Sequence, residues 1–257
     1  MLAADSRVTL LTTQAPMPGQ PGPMLVPATF DNARKLLRIA SQPYIGVVTY
    51  GTGAFGTLEP RTAHSFLPDF ETVLEGEPRL SVGEFAERLS TFFAEKWNAL
   101  MPANHHGPDL VFLVAGFDEN AAYGRVFEIA IPSSPQPREP SPGGFGLVWG
   151  GQREIVDRIL QGFDERAIAT LQSQLTVTDP AGLRDQLKKA LGLPIPYNFL
   201  PLQDCVDLAT LLVRATAQLQ SWVVGPRGVG GPVDVATITR TEGFVEIQMK
   251  KIQGEHL

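Results

Sequence analysis

The chain has 257 residues and a formal net charge of −6, from 21 Lys and Arg against 27 Asp and Glu. That length suits one medium domain, or two small ones, with a substantial core, and the acidic balance argues against nonspecific nucleic-acid binding and against docking on anionic lipid. No apolar run approaches the ~20 residues a membrane helix needs, the charged start at residues 1–7 lacks the apolar stretch of a signal peptide, and the one cysteine, Cys205, supports neither an internal disulfide nor a Cys-based zinc site, so a reducing cytoplasm is the expected setting.

In chain order, residues 8–12 read as a short strand. Residues 14–28 are so rich in Pro and Gly that an exposed loop is expected. Strands at 35–39 and 44–50 flank a turn at Ser41-Gln42-Pro43, and a partly helical stretch covers about 62–74. The clearest helix is 81–100, where Ser81 and Glu84 make a capping box and Val82, Phe85, Leu89, Phe92, Phe93 and Trp97 recur at helical spacing. Residues 109–117 and 123–131 read as a hairpin turned at Asn120. A second Pro-rich loop spans 132–144. A short strand at 145–149 opens on Gly150-Gly151, and a helix follows at 152–163. Two more helices fall within 165–192, and a long helix runs over 201–224 with Cys205, Leu208, Leu212, Ala215, Leu219 and Trp222 on one face expected to be buried. Two strands, 233–239 and 244–249, close the chain. Hairpins feeding hairpins, with helices grouped between them, imply antiparallel sheets covered by helices, an α+β layered sandwich rather than alternating βαβ units.

Several motifs suggest chemistry. Gly51-Thr52-Gly53-Ala54-Phe55-Gly56 fits G-x-G-x-x-G after a strand, but a dinucleotide site needs a helix opening at those glycines. Pro60 falls in the first or second turn of any such helix, so a glycine-rich turn is the better reading. His105 and His106 are adjacent in a loop and have no metal-binding pattern around them. No G-x-S-x-G is present. In Ala3-Ala4-Asp5-Ser6-Arg7 a strand end runs into charged residues. Antiparallel pairing of this segment with the strand at 35–39 would set Lys35 beside Asp5. Such a pair can tune a neighbouring amine or hydroxyl, and it can equally be an ordinary cross-strand ion pair.

Three stretches, taken together and in order, resemble the proteasome β-subunit family of N-terminal nucleophile hydrolases, in its bacterial-type form. The first joins Leu2-Ala3-Ala4-Asp5-Ser6-Arg7 to Ala33-Arg34-Lys35-Leu36-Leu37-Arg38-Ile39 and to 45–51. The second is 111–118 with 126–129, leading into Gly150-Gly151-Gln152. The third is Gly230-Gly231-Pro232-Val233-Asp234 and its continuation to Thr239. The resemblance spans nearly the whole chain and implies one domain over 1–257 with a four-layer αββα sandwich of two antiparallel sheets. It also implies a threonine-type peptidase working in a ring of like subunits on peptide or unfolded protein, with an unfoldase as a further partner. No cofactor and no metal are expected. Asp5 and Lys35 match the family's catalytic support. Thr9 matches the position that pairs substrate backbone, Gly51 the turn whose amide forms the oxyanion hole, and Val48 a position beside the pocket for the substrate side chain.

The chain also departs from the family. The family's nucleophilic Thr stands about a dozen residues before the Ala-Asp-Ser-Arg motif, a strand and a tight turn away, whereas this chain reaches Met1 first, so the first strand reads as truncated. Thr12-Thr13 lies downstream of Asp5 and does not fill the role. The expectation is a natural start upstream of Met1, at a threonine. The family's supporting Ser is Gly150 here, and its later Asp and Ser fall near Pro226 and Val229. Residues 14–28 and 165–200 read as insertions. The alternative is a non-catalytic ring subunit or binding module on the same fold.

Overall fold

The computed structural model describes residues 1–14, 24–57, 59–176, 178–225 and 227–251. Ten strands, β1 (Leu2–Ala4), β2 (Val8–Gln14), β3 (Met24–Phe30), β4 (Leu36–Arg38), β5 (Ile45–Gly51), β6 (Leu110–Gly116), β7 (Arg125–Ile131), β8 (Ser134–Arg138), β9 (Asp234–Thr239) and β10 (Gly243–Gln248), form three sheets among the described residues. The orders are β4-β5-β6-β7-β8, β1-β9-β10 and the ribbon β2-β3, and every pairing is antiparallel. Six α-helices accompany them among the described residues: α1 (Leu67–Val73), α2 (Val82–Leu100), α3 (Glu154–Gln161), α4 (Glu165–Gln174), α5 (Pro180–Leu191) and α6 (Leu202–Trp222). The fold is mixed α+β with antiparallel sheets, as the element order predicts.

The alternation of β5 explains how the molecule packs. Ile45 and Val47 enter a large core with Leu37, Phe112, Val114, Ile129 and the apolar faces of α1 and α2. Val48, on the other face, meets Leu36, Leu2, Ala4, Ala236, Ile238 and Phe244, so it packs the five-stranded sheet against the three-stranded one. The aromatic residues of α2 dominate the first core. Phe93 lies 4.6 Å from Phe112 between ring centroids, and Trp97 lies 5.7 Å from Phe55. The capping box is present: Ser81 Oγ accepts from the Glu84 amide, and Glu84 accepts from the Ser81 amide. The 41–43 turn closes with Gln42 buried, its side chain donating to the Pro78 carbonyl and accepting from the Leu80 amide. Asn120 adopts φ 59° in the β6–β7 connection, a left-handed conformation that Asn tolerates.

Five expectations need correction. Part of the 14–28 loop is strand: Met24 pairs with Gln14 and Phe30 with Val8. Its β-forming residues outweigh Pro27, which a two-stranded ribbon tolerates because one side of each strand carries no ladder; residues 15–23 lie outside the described set. The 132–144 loop contains β8, where Pro135 and Pro137 sit on the edge of the sheet beside β7. Residues 145–149 form no strand, and Leu147 and Trp149 instead pack beside Val156, Leu160 and Leu212. The expected face of α6 is buried only at its centre, with Trp222 71% exposed and Leu219 also exposed. Finally, β1 pairs with β9, Leu2 opposite Ala236, and not with the Lys35 strand.

Candidate active site

Asp5 follows β1 and Lys35 precedes β4, strands of two different sheets. The two side chains nevertheless meet, with Lys35 Nζ donating to Asp5 Oδ1 at 2.7 Å. Sheet-on-sheet packing, rather than strand pairing, brings them together. The pair is nearly dry: the side chains are 16% and 12% exposed for Lys35 and Asp5. Asp5 Oδ2 accepts from the amides of Arg7 and Gly230, each at 3.0 Å. The carboxylate is thus fixed by three donors from three parts of the chain, including the Gly230-Gly231 turn. Charge-assisted bonds of this kind hold a side chain in one rotamer.

The surrounding loops are tied down as well. The Ser6 amide donates to the Gly230 carbonyl, and the Ala33 amide donates to the Ser6 carbonyl. Arg7 makes a two-pronged contact with Asp31 at 2.6 and 2.8 Å. That bond holds the Asp31 carboxyl below its ordinary value and raises the guanidinium. A second buried ion pair lies on the other side of Ser6. Lys250 Nζ donates to the fully buried Asp234 and, at 2.9 Å, to Ser6 Oγ. The turn Asp5-Ser6-Arg7 is therefore clamped between two lysine–carboxylate pairs.

Beside Asp5 and Lys35 opens a cleft of about 500 Å³, with Thr9, Arg34, Thr49, Gly51 and Gly151 among its walls. That is the size of a small-molecule or peptide side-chain site. A smaller cavity of about 160 Å³ adjoins it, lined by Met1–Asp5, Lys35, Val48 and residues of α6. Asp5, Lys35, Thr49, Tyr50, Gly150, Gln152 and Val229 line both.

Of the remaining expected site residues, Thr9 and Gly51 line this cleft and Val48 does not. Thr9 lies on β2 opposite Thr29. Among the described residues β2 pairs only with β3, so its other edge can take another strand. Gly51 ends β5 at φ 85°, and a Cβ there would stand 2.0 Å from the Asp109 carbonyl oxygen, so both the backbone and the space call for glycine. The next amide, Thr52, is already taken by the Asp109 carbonyl at 2.9 Å. Val48 sits in the inter-sheet core and borders the smaller cavity, not the larger one. Gly53 approaches Val8 so closely that a Cβ would stand 2.0 Å from Val8 Cγ2. No helix starts on the 51–56 glycines; the segment turns instead into a Phe55–Arg61 bridge.

Sequence reasoning missed two features. Thr49 lines the cleft, and its Oγ1 is buried without a hydrogen-bond partner among the described residues; period-2 alternation along 44–50 places it on the face opposite Val48 and is the signal that could have found it. Tyr50 also lines the cleft, donates its hydroxyl to Glu128 at 3.0 Å and titrates well above its ordinary value, because burial and the Glu128 charge disfavour the phenolate. At Gly150 a Cβ would stand 2.1 Å from a Tyr50 ring carbon, so that ring occupies the place of any side chain at 150. Val229 lines the cleft, and Pro226 is outside the described residues. His105 stacks edge-on against Trp97 at 5.2 Å. Among the described residues no group of three or more His, Cys, Asp and Glu could hold a metal ion, and no helix is long and apolar enough to cross a membrane.

No family model matches the sequence, and no curated protein matches it. Among solved structures the chain is similar to Anbu (ancestral beta-subunit) from Yersinia bercovieri, at 18% identity over 90% of this chain and 74% of that chain, with a TM-score of 0.46.

Proposed function

We propose that this chain is a subunit of a proteasome-type threonine peptidase, with the Asp5–Lys35 pair as the support for an N-terminal threonine. The observation that carries the reading is the placement of Lys35 Nζ. It is held at 2.7 Å by a nearly buried carboxylate, on the wall of a peptide-sized cleft that also exposes an unpaired strand edge and a glycine turn. The core between the two larger sheets, the packing of α2 on one and the contact of α6 with β1 and β9 on the other support an αββα layering. Helix α5 buries none of its residues and α4 buries only Ile168, which supports reading 165–200 as an insertion.

The chemistry is acyl transfer. Peptide adds as a strand along the Thr9 edge of β2. The threonine Oγ attacks the scissile carbonyl while its proton passes to the free α-amine, and Lys35 stabilises the charge that builds on the oxygen. A backbone amide at the Gly51 turn receives the oxyanion. The leaving amine takes the proton, and water then hydrolyses the ester to release acid and regenerate the threonine. The chemistry requires a free N-terminal threonine ahead of Ala3-Ala4-Asp5. Intact mass and N-terminal sequencing of protein from its natural source test this. A threonine about a dozen residues before Met1, the length of a strand and a turn, supports it, and a natural start at Met1 removes it.

One observation favours a second reading. Tyr50 fills the place where the resemblance puts a supporting serine, at Gly150. A non-catalytic ring subunit that binds peptide in the same cleft would tolerate that exchange, and such a protein would show peptide binding without hydrolysis.

A further inference from the structure

We propose that the cleft selects an acidic substrate side chain, with Arg34 and Thr49 as the selecting residues. This rests on the reading of the cleft as a peptide site. Three observations converge on it. First, the cations lining the cleft are not equivalent. Arg7 is engaged by Asp31 and Lys35 by Asp5. Arg34 also lines the cleft, is exposed, and among the described residues has no carboxylate within ion-pair distance. Second, Thr49 is 8% exposed and its Oγ1 has no hydrogen-bond partner among the described residues. A buried hydroxyl without a partner is rare, because it has given up water for nothing. A ligand oxygen reaching it would recover that loss. Third, the charge of Arg34 is felt next to the Thr62–Ala63 wall. His64, the next residue, is held below its ordinary value of 6.5 by burial and then by the charges of Arg34 and Lys250.

The Thr49 amide donates to the Lys35 carbonyl at 2.9 Å, which continues the β4–β5 ladder and sets Thr49 opposite Lys35. Residues opposite each other in an antiparallel pair share a face. Thr49 and Lys35 thus stand opposite each other, and both line the cleft. The carboxylates that line the cleft are already engaged: Asp5 by Lys35, and Asp109, beside Gly51, by the Ser133 hydroxyl. A substrate carboxylate in the cleft would find one uncompensated guanidinium, Arg34, and one unpaired hydroxyl, Thr49, among its walls. An apolar side chain would leave Thr49 unpaired, and a cationic one would meet Arg34.

Binding, which needs no nucleophile, tests this on the folded chain. N-acetylated, C-amidated tetrapeptides differing only in Glu, Leu or Lys at the third residue are titrated calorimetrically at low salt. The Glu peptide is expected to bind at least tenfold more tightly than the others. Arg34→Glu, at an exposed position, should erase that preference, and Thr49→Val should weaken the Glu peptide several-fold more than the Leu peptide. Tighter binding of the Leu or Lys peptide, or equal binding of all three, overturns the selectivity and leaves the peptide site standing. Binding of none of them overturns the peptide site itself and this inference with it.

Discussion

Lys35 and Asp5 touch although their strands never pair: Nζ donates to Oδ1 at 2.7 Å across the junction of the five-stranded and three-stranded sheets. The relationship makes the candidate site a product of sheet packing. Anything that shifts one sheet against the other moves the lysine. The two amides that hold the second carboxylate oxygen, from Arg7 and Gly230, resist that shift.

Breaking the pair should be costly to the fold as well as to chemistry. Lys35→Met leaves Asp5 charged in a nearly dry place, and truncating one member of a buried pair destabilises by about 3–5 kcal/mol. The residual exposure of both groups puts the expected loss near the bottom of that range. Urea unfolding of Lys35→Met, Asp5→Asn and the double variant measures it. The double variant should be less destabilised than the sum of the singles, since each single strands its partner.

Gly51→Ala should be among the most damaging small changes in the cleft. It forces a left-handed φ of 85° on a residue with a Cβ and drives that Cβ to 2.0 Å from a backbone oxygen. The conformational part alone is about 1–2 kcal/mol, and the clash adds to it. Thermal unfolding should show a clear drop in Tm, and peptide binding should weaken as the turn is displaced.

Gly150→Ser restores the residue type expected from the resemblance and is nonetheless predicted to destabilise. Its Cβ would overlap the Tyr50 ring, and overpacking of this kind typically costs about 1–3 kcal/mol. Tyr50→Ala in the same background should relieve the overlap. If Gly150→Ser alone is neutral by denaturant melt, Tyr50 does not hold that space.

Two groups set the acid side of the pH profile, each in its own range. Asp31 has its carboxyl held low by Arg7, so its contribution is complete above the ordinary carboxylate range and fades as pH falls through the depressed value. His64 is also held low, by burial first. The unfolded chain then binds the proton more readily, and stability falls as pH drops below the ordinary value of 6.5, levelling once the folded form is protonated too. Denaturant midpoints between pH 5 and 8 should therefore slope for the parent chain and flatten in His64→Gln. An unchanged slope in that variant would assign the dependence elsewhere.

Much of this architecture is legible in local pattern. The Ser81–Glu84 box and the aromatic spacing of α2 define that helix, and β5, β6 and β7 follow from apolar runs bounded by turns. Sheet membership is not legible. A strand states its own faces through alternation but not its neighbour, so nothing local in β1 says that it pairs with β9 rather than with the Lys35 strand. Proline misleads twice, because β3 and β8 each lie at an edge where a missing amide costs little. Asp5 and Lys35 are identifiable as a pair because motif and chemistry agree. Thr49 is not, since a threonine in a strand looks like an ordinary β-former until the emptiness around its hydroxyl is seen. The outer part of α6 is exposed against expectation for a related reason: periodicity marks an apolar face but not whether anything covers it.

The measurement closest to the central claim is mass spectrometry of the natural protein after treatment with a threonine-reactive β-lactone, run beside a Lys35→Ala variant. One adduct is expected, on an N-terminal threonine ahead of Ala3, formed by the natural protein and lost in the variant. No adduct on the natural protein, or equal labelling of the variant, would contradict it.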